Sequence, residues 1–122
     1  MKKIMLIEDD ATMRSLLKTL LELEGFEVLI YGEDPYNQLS PIDALNTAKP
    51  EGILLDVHLR ISGSEINGIN LMKQIRAEAW LSSLRAVMAS GMDLKAECME
   101  AGADGFLLKP YMPEDLIAIL KK

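Results

Sequence analysis

Four short apolar runs in this chain each end on a residue able to do chemistry. Lys3–Ile7 runs into Glu8, Asp9 and Asp10. Ile53-Leu54-Leu55 ends on Asp56, Arg85–Ala89 on Ser90, and Gly105–Leu108 on Lys109-Pro110. A carboxylate at the end of a buried run costs several kcal/mol if it is desolvated without a partner. Crowded carboxylates also raise one another's pKa unless a cation sits among them. A hard divalent ion bound by oxygen resolves both problems, and Mg²⁺ characteristically takes one or two carboxylates, waters and phosphate oxygens. The lysine and the serine then fit an incoming phosphoryl group, one oxygen each. Asp56 fits a nucleophile that would become an aspartyl phosphate.

Each residue taken singly has an ordinary explanation. Glu8, Asp9 or Asp10 serves as a helix cap, Asp56 as a strand-end turn, Ser90 as a loop serine, and Lys109 as a solvated lysine before a weak turn signal. Their meaning depends on whether the chain brings four strand ends together.

The patterns that would do so alternate strand and helix five times. After the first strand, Met13, Leu16, Leu17, Leu20 and Leu21 recur at helical spacing, with Asp10 as cap and Gly25 as stop. Phe26–Tyr31 reads as the second strand. Ser40-Pro41 opens a second helix that runs to about Ala48. Ile53–Asp56 is the third strand, and a helix from near Asn67 presents Leu71, Met72 and Ile75 on one face. Arg85–Ala89 is the fourth strand. Asp93 is the expected cap of a fourth helix running to Gly102. Gly105–Leu108 is the fifth strand, and Pro113 opens the last helix, with Leu116, Ile119 and Leu120 inward. Five βα units predict an α/β fold: a doubly wound parallel sheet covered by helices on both faces. In such sheets ligands sit beyond the carboxyl ends of the strands, where Glu8, Asp9, Asp56, Ser90 and Lys109 all fall.

Composition narrows the function classes. The chain has 122 residues, enough for one domain and little more. Its net charge is −6 with scattered lysines and arginines, so no direct nucleic-acid binding is expected. No apolar run approaches a membrane span, so no membrane association is expected. A single cysteine, Cys98, fits a small helix residue in a cytoplasmic protein. A flavin carrier is disfavoured because the acidic first loop would repel a phosphate.

The stretches "IMLIEDD", "GILLDVHL", "VMASG" and "AGADGFLLKPY" closely resemble receiver domains of two-component response regulators. The resemblance covers essentially the whole chain, so 1–122 is read as one receiver domain of the flavodoxin-like type, strand order 2-1-3-4-5. It implies that Asp56 is the phosphoacceptor and that Glu8 and Asp9 hold Mg²⁺ together with Asp56 and the backbone carbonyl of His58. It further implies that Lys109, before a cis Pro110, pairs with the phosphoryl group. Ser90 and Phe106 are implied as the switch pair. The implied donor is a histidine kinase or phosphotransfer protein. The implied output is a downstream protein or an attached output domain, reached through the fourth helix, fifth strand and fifth helix, which is also the expected homodimer face. The protein is expected to be a regulatory domain that catalyses only its own phosphorylation and dephosphorylation. Two alternatives remain. One is a degenerate receiver acting as a constitutive interaction module, against which the full residue set argues. The other is an aspartate-nucleophile phosphatase, against which His58 argues, since such phosphatases need an aspartate there.

Three departures from the family stand out. Leu59-Arg60 replaces the usual Met-Pro, and Gly68 lies twelve residues after Asp56, so "RISGSEING" carries about four extra residues, expected to form a loop. The stretch from Ser90 to Gly102 is short, predicting a shortened or shifted fourth helix. "EDPYNQLSP" before the second helix is long.

Overall fold

The computed structural model describes residues 2–61 and 63–121. The main sheet contains β1 (Lys3–Ile7), β2 (Glu27–Ile30), β3 (Gly52–Asp56), β6 (Arg85–Ser90) and β7 (Gly105–Leu108). All pairings are parallel, in the order β2-β1-β3-β6-β7. This is the expected 2-1-3-4-5 arrangement, with two extra strands, β4 and β5, inserted after β3. The helices are α1 (Ala11–Leu23), α2 (Pro41–Ala48), α3 (Gly68–Ala77), α4 (Lys95–Ala101) and α5 (Pro113–Leu120).

Strand alternation divides the core in two. Met5, Ile7, Ile53, Leu55, Ala86 and Met88 project to one face and pack with α2, α3 and α4. Ile4, Leu6, Leu54, Val87 and Ala89 project to the other and pack with α1 and α5. Both faces of the central strands are therefore apolar, which is why they read as continuous runs rather than as an alternation. Leu17/Leu21 of α1, Leu71/Met72/Ile75 of α3 and Leu116/Leu120 of α5 are buried as their spacing predicts, and Ile119 packs partly buried against the same core as Leu116 and Leu120, whereas Leu16 of α1 is 48% exposed.

Local chemistry sets the helix starts. Asp10 Oδ1 accepts from the Met13 amide at 3.1 Å, and Ser40 Oγ from the Asp43 amide at 3.2 Å. Asn67 Oδ1 accepts from the amides of Ile69 and Asn70. Asp93, the expected cap of α4, lies one residue before the cap position: the N-cap is Leu94, which makes no side-chain hydrogen bond, while Asp93 Oδ1 accepts from the Lys95 amide at 3.4 Å, and the helix has only seven residues. Cys98 is buried on α4, and burial pushes its thiol up to about 11, so it is an inert core residue.

The segment expected as an inserted loop is instead an antiparallel hairpin, β4 (His58–Ile61) and β5 (Ser64–Asn67). A hairpin returns the chain to where it left. The extra residues therefore bring Gly68 back over the end of β3, where a Cβ would overlap the carbonyl oxygen of Asp56 and lie 2.8 Å from Val57 Cα. Only glycine allows that approach. Leu59 is buried and Ile66 packs against the α2–α3–α4 core, so the base of the hairpin is part of the domain.

Candidate functional site

The sheet's carboxyl edge gathers the residues that sequence spacing singled out. The ladders continue past the strands: the Val57 amide donates to the Ala89 carbonyl at 3.0 Å, and the Lys109 amide to the Ser90 carbonyl at 2.8 Å. Asp56, Ser90 and Lys109 are thus carried at the ends of three adjacent strands, with Glu8 just past the end of the neighbouring β1.

Lys109 links the two buried carboxylates. Its Nζ donates to Asp56 Oδ2 at 2.9 Å and to Glu8 Oε2 at 3.1 Å. The Glu8 and Asp56 side chains are 1% and 6% exposed, against 27% for Lys109. Glu8 Oε1 also accepts from the Asp10 amide at 3.1 Å. These partners do not fully compensate Glu8. Burial, and then the charge of Asp56, raise its pKa from 4.5 to about 7. Burial pulls the Lys109 pKa down, but the two carboxylates outweigh it and the ammonium is held above its usual value. Asp9 is exposed, and its Oδ2 accepts from the Arg60 backbone amide at 2.8 Å.

Glu8, Asp9 and Asp56 each offer an oxygen, all within 4.8 Å of one another. One lysine offsets one of these three negative charges. An all-oxygen donor set with surplus negative charge and a carboxyl strained toward its neutral form suits a hard divalent cation. The residues present therefore fit Mg²⁺.

The remaining predicted residues fall as follows. The His58 side chain is exposed at the start of β4. In an antiparallel pair, residues two apart send their amide and carbonyl to the same edge. The His58 carbonyl thus faces the edge from which the Arg60 amide reaches Asp9. Ser90 is fully buried, and its Oγ accepts from the Met92 amide at 3.0 Å. No described hydrogen bond joins the Ser90 hydroxyl to Asp56 or to the Lys109 ammonium. Phe106 is half-buried against the α2–α3–α4 core, paired in register with Met88. The Lys109-Pro110 peptide is cis.

Three neighbours of the site were not anticipated. The Arg60 amide carried no signal, because every residue but proline has one. Arg14 donates through Nη1 to the Glu8 carbonyl at 3.1 Å, one turn into α1. The Tyr111 hydroxyl is buried with no described hydrogen-bond partner. Burial, then the Glu8 charge, push its pKa up to about 12. Its place directly after Lys-Pro was the available clue.

Residues 4–121 match the response regulator receiver domain family. The chain is 38% identical over 124 residues to the transcriptional regulatory protein CpxR homolog of Haemophilus influenzae, covering 99% of this chain and 49% of that protein. It is 26% identical to the DNA-binding response regulator MtrA of Mycobacterium tuberculosis, covering 96% and 48%. The chain therefore spans about half the length of the curated relatives it matches. Its fold superposes on chemotaxis protein CheY4 of Vibrio cholerae with a TM-score of 0.80 at 22% identity, covering 99% of this chain and 97% of that one. It also superposes on the receiver domain of the sensor histidine kinase PA1611 of Pseudomonas aeruginosa, whose crystal structure has a magnesium ion coordinated in the active-site cleft. That match has a TM-score of 0.74 at 22% identity, covering 98% and 94%. With the family matched along nearly its whole length and the fold in agreement, this chain belongs to the response regulator receiver domains.

Proposed function

We propose that this domain, read as residues 1–122, is a phosphorylation switch in two-component signalling, with Asp56 accepting the phosphoryl group of a histidine kinase or phosphotransfer protein. The observation that carries the reading is the Lys109 ammonium bridging two buried carboxylates at the carboxyl edge of a parallel sheet. In the reaction a carboxylate oxygen of Asp56 attacks phosphorus. The bond from phosphorus to the donor nitrogen breaks, and the electron pair stays on the imidazole, which takes up a proton. Lys109 is already within hydrogen-bond reach of the attacking carboxylate, so it can hold a phosphoryl oxygen as negative charge gathers there. Glu8 and Asp9, with Asp56 and the His58 carbonyl, would hold Mg²⁺, which supplies charge neutralisation of the phosphoryl oxygens. Ser90 and Phe106 would then report the modification, biasing a two-state equilibrium toward a changed face of α4, β7 and α5. The output is a separate protein or an attached domain. The longer relatives, named as transcriptional or DNA-binding regulators, support the second arrangement.

Intact mass after incubation with acetyl phosphate tests the reading. We expect an adduct of about 80 Da, the mass of one added phosphoryl group, that needs Mg²⁺ and is lost in Asp56→Asn. Absence of the adduct with both acetyl phosphate and a phosphohistidine protein as donor would refute it and favour a constitutive interaction module.

A further inference from the structure

We propose that the inserted β4–β5 hairpin is a built-in support of the metal site, with Arg60 the positioning residue that fixes the Asp9 carboxylate through its backbone amide. The inference rests on reading the acid cluster as a Mg²⁺ site and extends it to a segment outside that cluster. Asp9 is the exposed member of the three carboxylates, whereas Glu8 and Asp56 are buried and held by Lys109. A cleft of about 420 Å³ opens between Asp9 and the hairpin, so packing does not fix the carboxylate's rotamer. Among the described residues, the one hydrogen bond its side chain accepts comes from the Arg60 amide at 2.8 Å. That bond restrains Oδ2 and leaves Oδ1 available to a cation.

The hairpin is able to hold that position because its base is fixed to the nucleophile's own backbone. Leu59 is 3% exposed in the core. The Gly68 amide donates to the Val57 carbonyl at 2.7 Å, and Gly68 lies against the Asp56 carbonyl. Asn67 pairs with His58 and caps α3. The edge alternation places the Arg60 amide and the His58 carbonyl on one side of β4, both toward the acid cluster. One strand edge therefore serves Asp9 with a donor and offers the cation an acceptor. The Arg60 guanidinium is not the working part. It pairs with Glu65 Oε1 across the hairpin at 2.7 Å, with both side chains more than half exposed, and such a pair contributes little. Partners that orient a ligating side chain typically change metal affinity 10- to 100-fold.

Calorimetric titration of the whole chain with Mg²⁺ tests this in wild type, Arg60→Ala and Arg60→Pro. Alanine keeps the amide and proline removes it. Because that amide points away from β5, proline breaks no rung of the hairpin ladder. We expect Arg60→Ala to bind like wild type and Arg60→Pro to bind roughly tenfold more weakly, with unchanged metal-free melting. By reciprocity, Mg²⁺ should slow hydrogen exchange of the Arg60 amide in wild type. If Arg60→Pro does not fold, an α-hydroxy acid at position 60, which replaces N–H by oxygen, makes the same deletion without the ring. Equal affinity in the alanine variant and the amide-deleted variant overturns the proposal. So does equal weakening in both, which would assign the effect to the guanidinium. Failure of wild type to bind Mg²⁺ would instead overturn the metal reading of the acid cluster itself.

Discussion

Glu8 and Asp9 are neighbours in sequence with opposite surroundings. Glu8, the residue after β1, is inside the protein; Asp9 is outside it. The consequence for Glu8 is a measurable pH dependence. Its folded pKa, about 7, lies above the unfolded value of 4.5. Between these values the folded state holds a proton that the unfolded state has released, so stability falls as pH rises through the window, and the penalty is complete above pH 7. Its size is roughly 3 kcal/mol, at about 1.4 kcal/mol per pKa unit. Glu8→Gln carries no titrating group there. Urea unfolding of the metal-free protein should therefore show the variant gaining on wild type between pH 5 and pH 8 by about that amount. A difference that does not change with pH would refute the account. Saturating Mg²⁺ should stabilise wild type more at pH 8 than at pH 5, because the ion needs the ionised carboxylates.

At the scale of elements, the hairpin and the β5–α3 junction decide the shape of the site. Gly68 is the first residue of α3 and lies directly against the backbone of Asp56 and Val57. Gly68→Ala forces backbone apart, since the atoms it meets belong to Asp56 and Val57 rather than to a flexible side chain. A loss of about 1–3 kcal/mol is expected in urea unfolding, with a weaker Mg²⁺ affinity because the Asp56 carboxylate moves with its backbone. Retention of both would mean that the hairpin shifts freely, which would also weaken its proposed role as a support. At the opposite end of α3, Arg76 ties three segments together. Its guanidinium donates to the carbonyls of Gly102 and Leu81 and pairs with Asp104, which in turn accepts from the Ala86 amide. The short α4 is thus anchored at its end by α3.

At the scale of the molecule, β7 is one of the two outer strands of the sheet and is flanked by α4 and α5. Leu108 on β7 is 51% exposed, and Met112, just before α5, is 62% exposed. An edge strand with exposed apolar side chains is a surface suited to pairing. If phosphorylation of Asp56 reorganises this face, the modified protein should sediment as a dimer while Asp56→Asn stays monomeric. Leu108→Glu should stay monomeric even when phosphorylated. A phosphorylated wild type that remains monomeric at tens of micromolar would argue that this face serves another partner.

The central strands were legible because burial on both faces leaves an unbroken apolar run, and the chemistry-bearing residues because each stands where such a run stops. From that alone the sheet, the helix stripes and the candidate set Asp56, Glu8, Asp9, Ser90 and Lys109 could be read. The hairpin was partly visible: His58-Leu59-Arg60 and Glu65-Ile66-Asn67 alternate polar and apolar, but runs this short read equally as loop. The tertiary structure alone decided the rest. It decided that Lys109 reaches both Glu8 and Asp56, that Glu8 is buried and Asp9 exposed, and that a backbone amide of an inserted strand meets Asp9. Composition and periodicity record which side chains seek water. They cannot record the direction of a main-chain N–H, or the dielectric around a carboxylate, because both depend on residues distant in the chain.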